Sequence, residues 1–484
     1  MGTIARAAKA VRIEARPGCG QLAVWALTTG FLLMCGRTPT ATAQAVGGVA
    51  DIIRQNNLAQ GQAALPPRVD LDVDGYWSDN IRRSSIDKIT DTVASVGAAV
   101  DAAENYRHLQ YTARGNVNFE DYTRGSYASQ AYGNFDGAAT VLFMPEHFGW
   151  VFRDSFDKLA VDPTAAATPG NLATYNYFTT GPQFGLRFGA ATRLIAQATY
   201  SKINVLNSGT LDTNDPLILN ASLNSKRYGG LAELQHDVSA NGKVALNVST
   251  ERVRYDNPNL DADYNRNDFS VAYTTRWART TVAAELGDTR ITEQGASSNG
   301  LLARLGASRR ISPDSTLVFG FQRQTADSAD LMRNTNGVLP SDITLQVASH
   351  DPLVDTTVSA GWRFERVRTR WGVNGYRTTE RYLVNHELDR DVSGANAAFE
   401  HRLLTTVGFQ VSANYFKESY TNTGVADHEI DFAVALQWYL GRKLRASFIG
   451  ERFDRSGNDI HLTYKENRVE ARLSYDLLGN GFVR

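Results

Sequence analysis

Long stretches of this chain alternate between apolar and polar residues, and this two-residue period constrains the fold more than any other feature. In segment 109–119 the odd positions carry apolar or aromatic side chains or glycine, whereas the even positions are polar. A β-strand places two such sets on opposite faces, while a helix would mix them. The same pattern recurs at 244–251, 407–415 and 469–476. The sequence therefore predicts an all-β fold.

The length of these segments separates a membrane barrel from a soluble sandwich or propeller. They run for about 10 to 14 residues, as a tilted membrane strand requires, whereas strands of soluble proteins average about 5–6 residues. The mean hydropathy is −0.32, and no apolar run beyond residue 40 is long enough for a spanning helix. Membrane barrels have such an average hydropathy because only their outward residues are apolar.

Aromatic residues beside the turns are a second indication of a membrane barrel. They fall at the ends of predicted strands, where the interfacial aromatic girdles of such barrels lie. The set assigned to the outside comprises Trp77, Phe148, Trp150, Trp277, Trp362, Trp371, Trp438 and Tyr439.

The connections between strands alternate in length, as in barrels with short periplasmic turns and long outer loops. Short connections are predicted at 145–147, 189–192, 239–243, 312–315, Leu403-Leu404 and 441–443, and long ones near 157–174, 205–224, 256–266, 327–353, 379–391 and 455–465. The count is about 20 strands, or 18 if hairpin 90–118 or 126–157 is a single element. We therefore expect a transmembrane, antiparallel, up-and-down β-barrel of about 18–20 strands over residues 67–484.

The N-terminus predicts export. Residues 1–18 are basic, an apolar stretch follows at 22–34, and Ala41-Thr42-Ala43 resembles a signal-peptidase site. Residues 1–43 are thus predicted to be a signal peptide, and 44–66 a short periplasmic segment. Both cysteines, Cys19 and Cys35, lie in the predicted signal peptide, and the bulky residues before Cys35 disfavour lipidation. The expected location is the outer membrane of a Gram-negative cell, with its lipid bilayer as a partner.

No motif predicts catalysis, a cofactor or a metal centre. The eight histidines are scattered, and no HExxH, G-x-S-x-G or phosphate-binding loop occurs. His386-Glu387 and His428-Glu429 are assigned to solvated loops. The acidic and amide run from Asn259 to Asn267 has calcium-like spacing but lacks the glycine and closing glutamate of an EF-hand, so a solvated loop is preferred. We expect no catalytic residue, no metal and no cofactor.

The inward residues indicate what passes through the barrel. With 50 basic and 51 acidic residues the chain has no basic excess, so nucleic acid is not an expected partner. Residues predicted to face inward carry both charge signs, which suits a neutral or weakly charged, hydroxyl-rich solute, although the same residues could pair across the wall. The inward candidates for solute binding are Gln110, Arg114, Gln322, Gln410, Gln437 and Tyr439, so Tyr439 belongs to both predicted sets.

The long connection 327–353 has its own prediction. It contains Leu331, Met332, Val338 and Leu339, and is more apolar than a freely solvated loop requires. We expect it to fold inward and to narrow the channel.

One segment resembles a known family. The first strand reads Val73-Asp-Gly-Tyr-Trp-Ser-Asp-Asn-Ile81, and a long series of hairpins follows. This is similar to the β-barrel porin family of exopolysaccharide and capsule gene clusters, whose members begin the barrel with an aromatic-x-x-Asp-Asn-aliphatic segment. The resemblance implies an outer-membrane component of polysaccharide biosynthesis or export, with polysaccharide and periplasmic or inner-membrane export components as partners. A small-solute porin and a non-conducting scaffold barrel remain alternatives.

Overall fold

Twenty antiparallel strands form one closed sheet in the computed structural model, which describes residues 67–162, 165–207, 223–257, 262–293, 296–335 and 348–479. The strands are β1 Arg68–Ser78, β2 Asp91–Asn105, β3 Leu109–Tyr122, β4 Gln130–Met144, β5 Phe148–Ala160, β6 Leu172–Phe188, β7 Thr192–Asn207, β8 Ser225–Ser239, β9 Gly242–Tyr255, β10 Tyr264–Arg276, β11 Thr280–Glu293, β12 Ala296–Ser312, β13 Ser315–Ala326, β14 Leu353–Glu365, β15 Thr369–Tyr382, β16 Arg390–Leu404, β17 Val407–Tyr420, β18 Ala426–Tyr439, β19 Leu444–Gly457 and β20 Tyr464–Asp476. The predicted signal peptide 1–43 and segment 44–66 lie outside the described residues.

Each strand pairs with the next in the chain, and β1 pairs with β20, so the sheet has no free edge. Both hairpins whose separation decided between 18 and 20 strands are formed, by β2 with β3 and by β4 with β5. The up-and-down barrel is confirmed at the upper end of the predicted strand count. Closure matters physically because an open edge in lipid would leave unpaired backbone groups.

The seam between the first and last strands is reinforced by the segment that resembles the porin family. The Asp79 carboxylate accepts hydrogen bonds from the backbone N–H of Asn467 at 2.8 Å and from its side-chain amide at 2.6 Å. The Asn80 amide donates to the carbonyls of Ser84 and Lys465. The Asp-Asn pair therefore joins the end of β1 to β20.

The strands define two unlike ends. One, here called the short-turn end, has connections of two to four residues and both ends of the strand series. The other, the long-loop end, has connections of five to 26 residues, apart from the two-residue link 294–295. The turn predicted at Leu403-Leu404 is wrong, because a register shift between Arg402 and Leu404 lets β16 continue to Leu404, and the turn is formed by 405–406.

The outer wall is apolar along its middle. Cross-strand neighbours Val73, Val96 and Phe119 are about half exposed on adjacent strands, and similar rows continue around the barrel. Five tryptophans, Trp150, Trp277, Trp362, Trp371 and Trp438, lie at the short-turn end. An even-stranded closed barrel with an apolar exterior and this loop asymmetry is an outer-membrane barrel of a Gram-negative cell.

Tyr439 is the exception among the predicted outward aromatics. It pairs with Arg445 on the inner face and is 5% exposed, whereas its neighbour Trp438 faces out. Two adjacent aromatic residues on one strand must face opposite sides. The outward assignment of Tyr439 is therefore wrong, and its inward assignment agrees with the structure.

In the part of the chain that the structure describes, one short α-helix, α1 (Ser328–Thr335), lies within the connection between β13 and β14. Among the described residues, no helix is long and apolar enough to cross a membrane. Buried apolar residues of the connection, Ala329 and Ala348, pack with inward residues such as Tyr175, Tyr177 and Ile203. The main apolar cluster inside the barrel is thus built by this connection and the wall of β5–β7.

Candidate functional site

The strand register places all six predicted binding residues on the inner wall. They share faces with buried lumen residues, and their chain neighbours on either side face outward. They do not form one site. Gln410, Gln437 and Tyr439 lie together near the short-turn end, while the other three are distributed around the wall.

The three neighbouring candidates form a hydrogen-bonded chain. The Tyr439 hydroxyl donates to the Gln437 carbonyl oxygen at 3.0 Å, and the Gln437 amide donates to Gln410 at 3.3 Å. The Arg402 guanidinium lies 5.4 Å from the centre of the Tyr439 ring. This arrangement offers a polar and aromatic track at the mouth of the barrel, whose members already partner one another.

Two of the remaining candidates, Gln322 and Arg114, differ in how strongly other protein groups bind their side chains. The Gln322 amide donates to the Asp355 carboxylate at 3.0 Å and is committed to the wall. Arg114 reaches Asp101 at 3.4 Å, with both side chains more than half exposed, so this ion pair is weak. Arg114 is therefore available to a solute in the lumen.

Gln110 belongs to a pocket that sequence reasoning did not anticipate. This pocket, called the rim pocket, has a cavity volume of about 20 Å³, room for one water molecule or one hydroxyl group, and is lined at the short-turn end by Gln110, Thr140, Leu142, Glu146, His147, Phe148, Gly149, Gln183, Gly185 and Arg193. Three of its buried polar atoms have no hydrogen-bond partner among the described residues: the amide nitrogen of Gln110, the amide oxygen of Gln183 and Nε of Arg193. The pocket thus presents two donors and one acceptor.

Local backbone geometry builds one side of the rim pocket. The turn between β4 and β5 approaches β6 so closely that a Cβ on Gly185 would lie 2.3 Å from the Glu146 carbonyl oxygen, which makes glycine necessary there. The Gly185 N–H donates to the His147 carbonyl at 2.7 Å. Glu146 has a φ of 71°, a strained value for a residue with a side chain. The rim pocket is therefore held by its backbone as well as by side chains.

At the opposite end, the connection between β13 and β14, residues 327–352 and here called the crossing loop, enters the barrel. The Ala348 N–H donates to the Ala160 carbonyl at 2.9 Å at the end of β5. Strand β5 is eight positions from β13 in a ring of 20. The described part of the crossing loop therefore spans the lumen, as the prediction for 327–353 requires, while 336–347 lie outside the described residues.

Charged residues fix the start of the crossing loop. Arg227 on β8 is fully buried and forms an ion pair with the fully buried Asp327. Asp327 also accepts hydrogen bonds from the hydroxyls of Tyr255 at 3.2 Å and Tyr264 at 3.0 Å. These three partners of the Asp327 carboxylate thus lie on the neighbouring strands β8, β9 and β10.

Asp330, in the first turn of α1, also meets arginines of the wall. It lies 3.4 Å from Arg227 and 3.3 Å from Arg266 on β10. Burial by itself would raise the pKa of Asp327, but the charge and hydrogen bond of Arg227 outweigh burial and hold that pKa below its ordinary value of 3.8. Asp327 is therefore charged when the loop is in place.

A second ionic network covers the inner wall on the other side. Arg390 pairs with Glu380 at 2.7 Å and with Glu418 at 3.1 Å, and Arg455 pairs with Glu418 at 3.2 Å and Asp427 at 2.9 Å. All five side chains are almost fully buried. Pairs of this kind are retained only with good geometry, because burying a charge is costly. The alternative reading of the mixed inward charges, pairing along the wall, thus holds for this half of the barrel.

Two predicted loop features are placed differently by the structure. Glu429 lies on β18, not in a loop, and accepts a hydrogen bond from the Tyr464 hydroxyl at 2.8 Å. Of the calcium-like run, 259 and 261 lie outside the described residues, and Asp263 pairs with Arg254 at 3.4 Å. Among the described residues, no cluster of three or more acidic, histidine or cysteine side chains is arranged to hold a metal ion.

Comparison with known proteins gives only distant structural likeness. No protein-family profile and no curated protein matches the chain. The siderophore receptor PirA from Pseudomonas aeruginosa aligns over 86% of this chain and 81% of its own at 12% identity and a TM-score of 0.43. The copper transporter OprC gives 10% identity, coverage of 86% and 82%, and a TM-score of 0.42. OccK2 (OpdF) from Pseudomonas aeruginosa, in complex with glucuronate, aligns over 86% of this chain and 98% of its own at 10% identity and a TM-score of 0.39. At these values nothing about what this chain binds follows from the likeness.

Proposed function

We propose that this barrel is a channel for hydroxyl-rich solutes, and that it serves the biosynthesis and export of an exopolysaccharide or capsular polysaccharide. Removal of residues 1–43 as a signal peptide is part of this proposal. Its partners would be the polymer and the export components on the periplasmic side, where the short-turn end lies by the usual orientation of such barrels.

The observation that carries the proposal is the rim pocket. Two uncommitted donors, on Gln110 and Arg193, and one uncommitted acceptor, on Gln183, face a space that opens at the periplasmic mouth. A sugar hydroxyl both donates and accepts a hydrogen bond, so one hydroxyl that enters this space of about 20 Å³ can pair with a donor and with the acceptor. A hydroxyl that binds there takes the place of solvent and keeps these polar atoms hydrogen-bonded.

The remaining candidates support a track rather than one deep site. Gln410, Gln437 and Tyr439 add amide and aromatic surface at the same end, and Arg114 adds an available charge higher in the lumen. Weak contacts of this kind, repeated along a wall, suit a polymer that must slide. The resemblance of segment 73–81 to the porin family of polysaccharide gene clusters favours the same conclusion.

A block experiment tests the binding part of the proposal. Neutral oligosaccharides are added to the periplasmic side of single channels in planar bilayers, and the block is compared for Gln183→Leu and for the outward control Leu436→Ala. Loss of one hydrogen bond of about 1 kcal/mol predicts roughly fivefold weaker block for Gln183→Leu and no change for the control. Equal block in both variants would refute the assignment of the rim pocket.

A gene deletion tests the biological part. Loss of surface polymer in the deletion strain, restored by the wild-type gene, is the expected result. Normal surface polymer with slower growth on one sugar would instead favour the small-solute porin. Absence of ionic current from the wild-type barrel, and from a barrel lacking residues 329–350, would favour the scaffold alternative.

A further inference from the structure

Basic residues form a compact group on the outer wall at the long-loop end, on three neighbouring strands. Lys202 on β7 lies directly opposite Lys226 on β8, and Lys226 lies directly opposite Arg254 on β9. Arg252 is two residues from Arg254 on the same face, opposite Tyr228. We call these four residues, Lys202, Lys226, Arg252 and Arg254, the basic row.

This arrangement opposes the stability of the sheet. Like charges directly opposite each other on adjacent strands repel. Two members are compensated by acidic residues of the loops, since Lys202 lies 2.6 Å from Asp256 and Arg254 lies 3.4 Å from Asp263. Within the described part of the chain no acidic group is in ion-pair range of Lys226 or Arg252, and both are exposed. Among the described residues, these two cations thus have no acidic partner and face the outside of the barrel.

The height of the basic row on the wall identifies the kind of anion. Level with Arg252 and below the other three residues, Tyr200 and Tyr228 lie opposite each other with ring centres 5.5 Å apart and with 38% and 52% of their surface exposed. Further toward the middle, Val248 and Phe269 are about half exposed. This order of apolar, tyrosine and basic residues follows the order of acyl chains, interface and charged headgroups in a membrane leaflet.

We propose that the basic row is a binding site for the phosphate groups of a phosphorylated lipid in the outer leaflet. Lys226 and Arg252 contact the phosphates, the ion-paired Lys202 and Arg254 flank them, and the two tyrosines pack beside the upper part of the acyl chains. Arginine and lysine bind phosphate oxygens through charge-assisted hydrogen bonds. The site is independent of what passes through the lumen.

The test compares lipid retention by the purified full chain in detergent. The probes are a bis-phosphorylated glucosamine-based lipid, its dephosphorylated form, and inorganic phosphate as a competitor, with bound lipid counted by native mass spectrometry. The test variant is Lys226→Gln with Arg252→Gln, and the matched control is Lys443→Gln at the short-turn end. Heat-modifiability on gels shows that each variant is folded.

The wild type and the control are expected to retain the phosphorylated lipid and to lose it when the phosphates are removed. The double variant is expected to bind it roughly 30-fold more weakly, because two basic residues at a charged surface are lost. Equal retention by the double variant, or equal retention of the dephosphorylated lipid, overturns the proposal. Displacement of the lipid by low millimolar inorganic phosphate assigns the basic row to free phosphate and also overturns it.

Discussion

Replacing Asp327 by Asn is predicted to release the crossing loop. In the native structure Asp327 pairs with the fully buried Arg227 and receives two tyrosine hydroxyls. Asn keeps the shape and one acceptor oxygen but removes the charge. Arg227 then keeps only Asp330 at 3.4 Å and Glu251 at 3.9 Å.

The size of the effect follows from these distances. Removing one partner of a buried ion pair costs about 3–5 kcal/mol, because the other charge remains buried. The lower limit applies here, since two carboxylates still face Arg227. A cost of about 3 kcal/mol raises the population of the released loop roughly 150-fold, at 1.36 kcal/mol for each factor of ten.

Cysteine labelling measures this population. The chain has no cysteine beyond Cys35, and Ala329 is fully buried in α1, so Ala329→Cys reacts with a maleimide only when the loop is released. Its labelling rate should rise about 150-fold when Asp327→Asn is added, while the exposed control Val384→Cys stays constant. Adding Arg227→Met to Asp327→Asn should recover most of the protection, because the unpaired charge is then removed. An unchanged rate in the Asp327→Asn background refutes the role of this ion pair.

Three further predictions address pH and stability. Because the pKa of Asp327 is lowered in the folded protein, its contribution to holding the crossing loop is complete above the ordinary pKa near 4 and is lost as the pH falls through the lowered value. The labelling rate of Ala329→Cys, relative to that of an exposed cysteine, should be constant from pH 7 to about 4 and should rise below pH 4. A rise at pH 5–6 would contradict this. Asp79→Ala removes two hydrogen bonds to Asn467 and should lower the free energy of unfolding by about 1–3 kcal/mol, with a smaller loss for Asp79→Asn. The loss should appear as a lower temperature of the heat-induced gel shift. A transition temperature equal to that of the wild type would exclude a role of Asp79 in the seam. Arg390→Met removes the ion-pair partner of the buried Glu380 and leaves Glu418 with Arg455, so it should cost about 3 kcal/mol in urea unfolding from vesicles. A cost below about 1 kcal/mol would show that this pairing is not needed.

The sequence was sufficient to assign faces and strand number, because a two-residue period determines which side of a strand each residue takes. It failed where the pattern itself is ambiguous. Trp438 and Tyr439 are adjacent aromatic residues, so composition alone placed both outside although only one can face lipid. Glu429 lies in the polar run Ala426-Asp-His-Glu-Ile-Asp431, where β18 has few apolar outward residues to mark it as a strand.

Contacts across the lumen were beyond sequence reasoning for a different reason. Arg227 and Asp327 are 100 residues apart, and no periodicity relates a loop to the wall that it meets. The rim pocket likewise depends on the close approach of a turn to Gly185, which is a property of the closed barrel. The apolar residues of the loop did indicate that it folds inward, because removing a side chain such as Leu331 from water is favourable, and Leu331 is buried in an apolar cluster.

The conductance of the barrel with and without the crossing loop tests the channel assignment most directly. Purified wild-type protein and a variant lacking residues 329–350 are reconstituted in planar bilayers, with folding checked by heat-modifiability. A small current for the wild type, and a several-fold larger one for the variant that neutral oligosaccharides block reversibly, are the predicted results. A folded variant that conducts no ions, or that conducts no more than the wild type, would contradict a lumen that is open to solutes and narrowed by this loop.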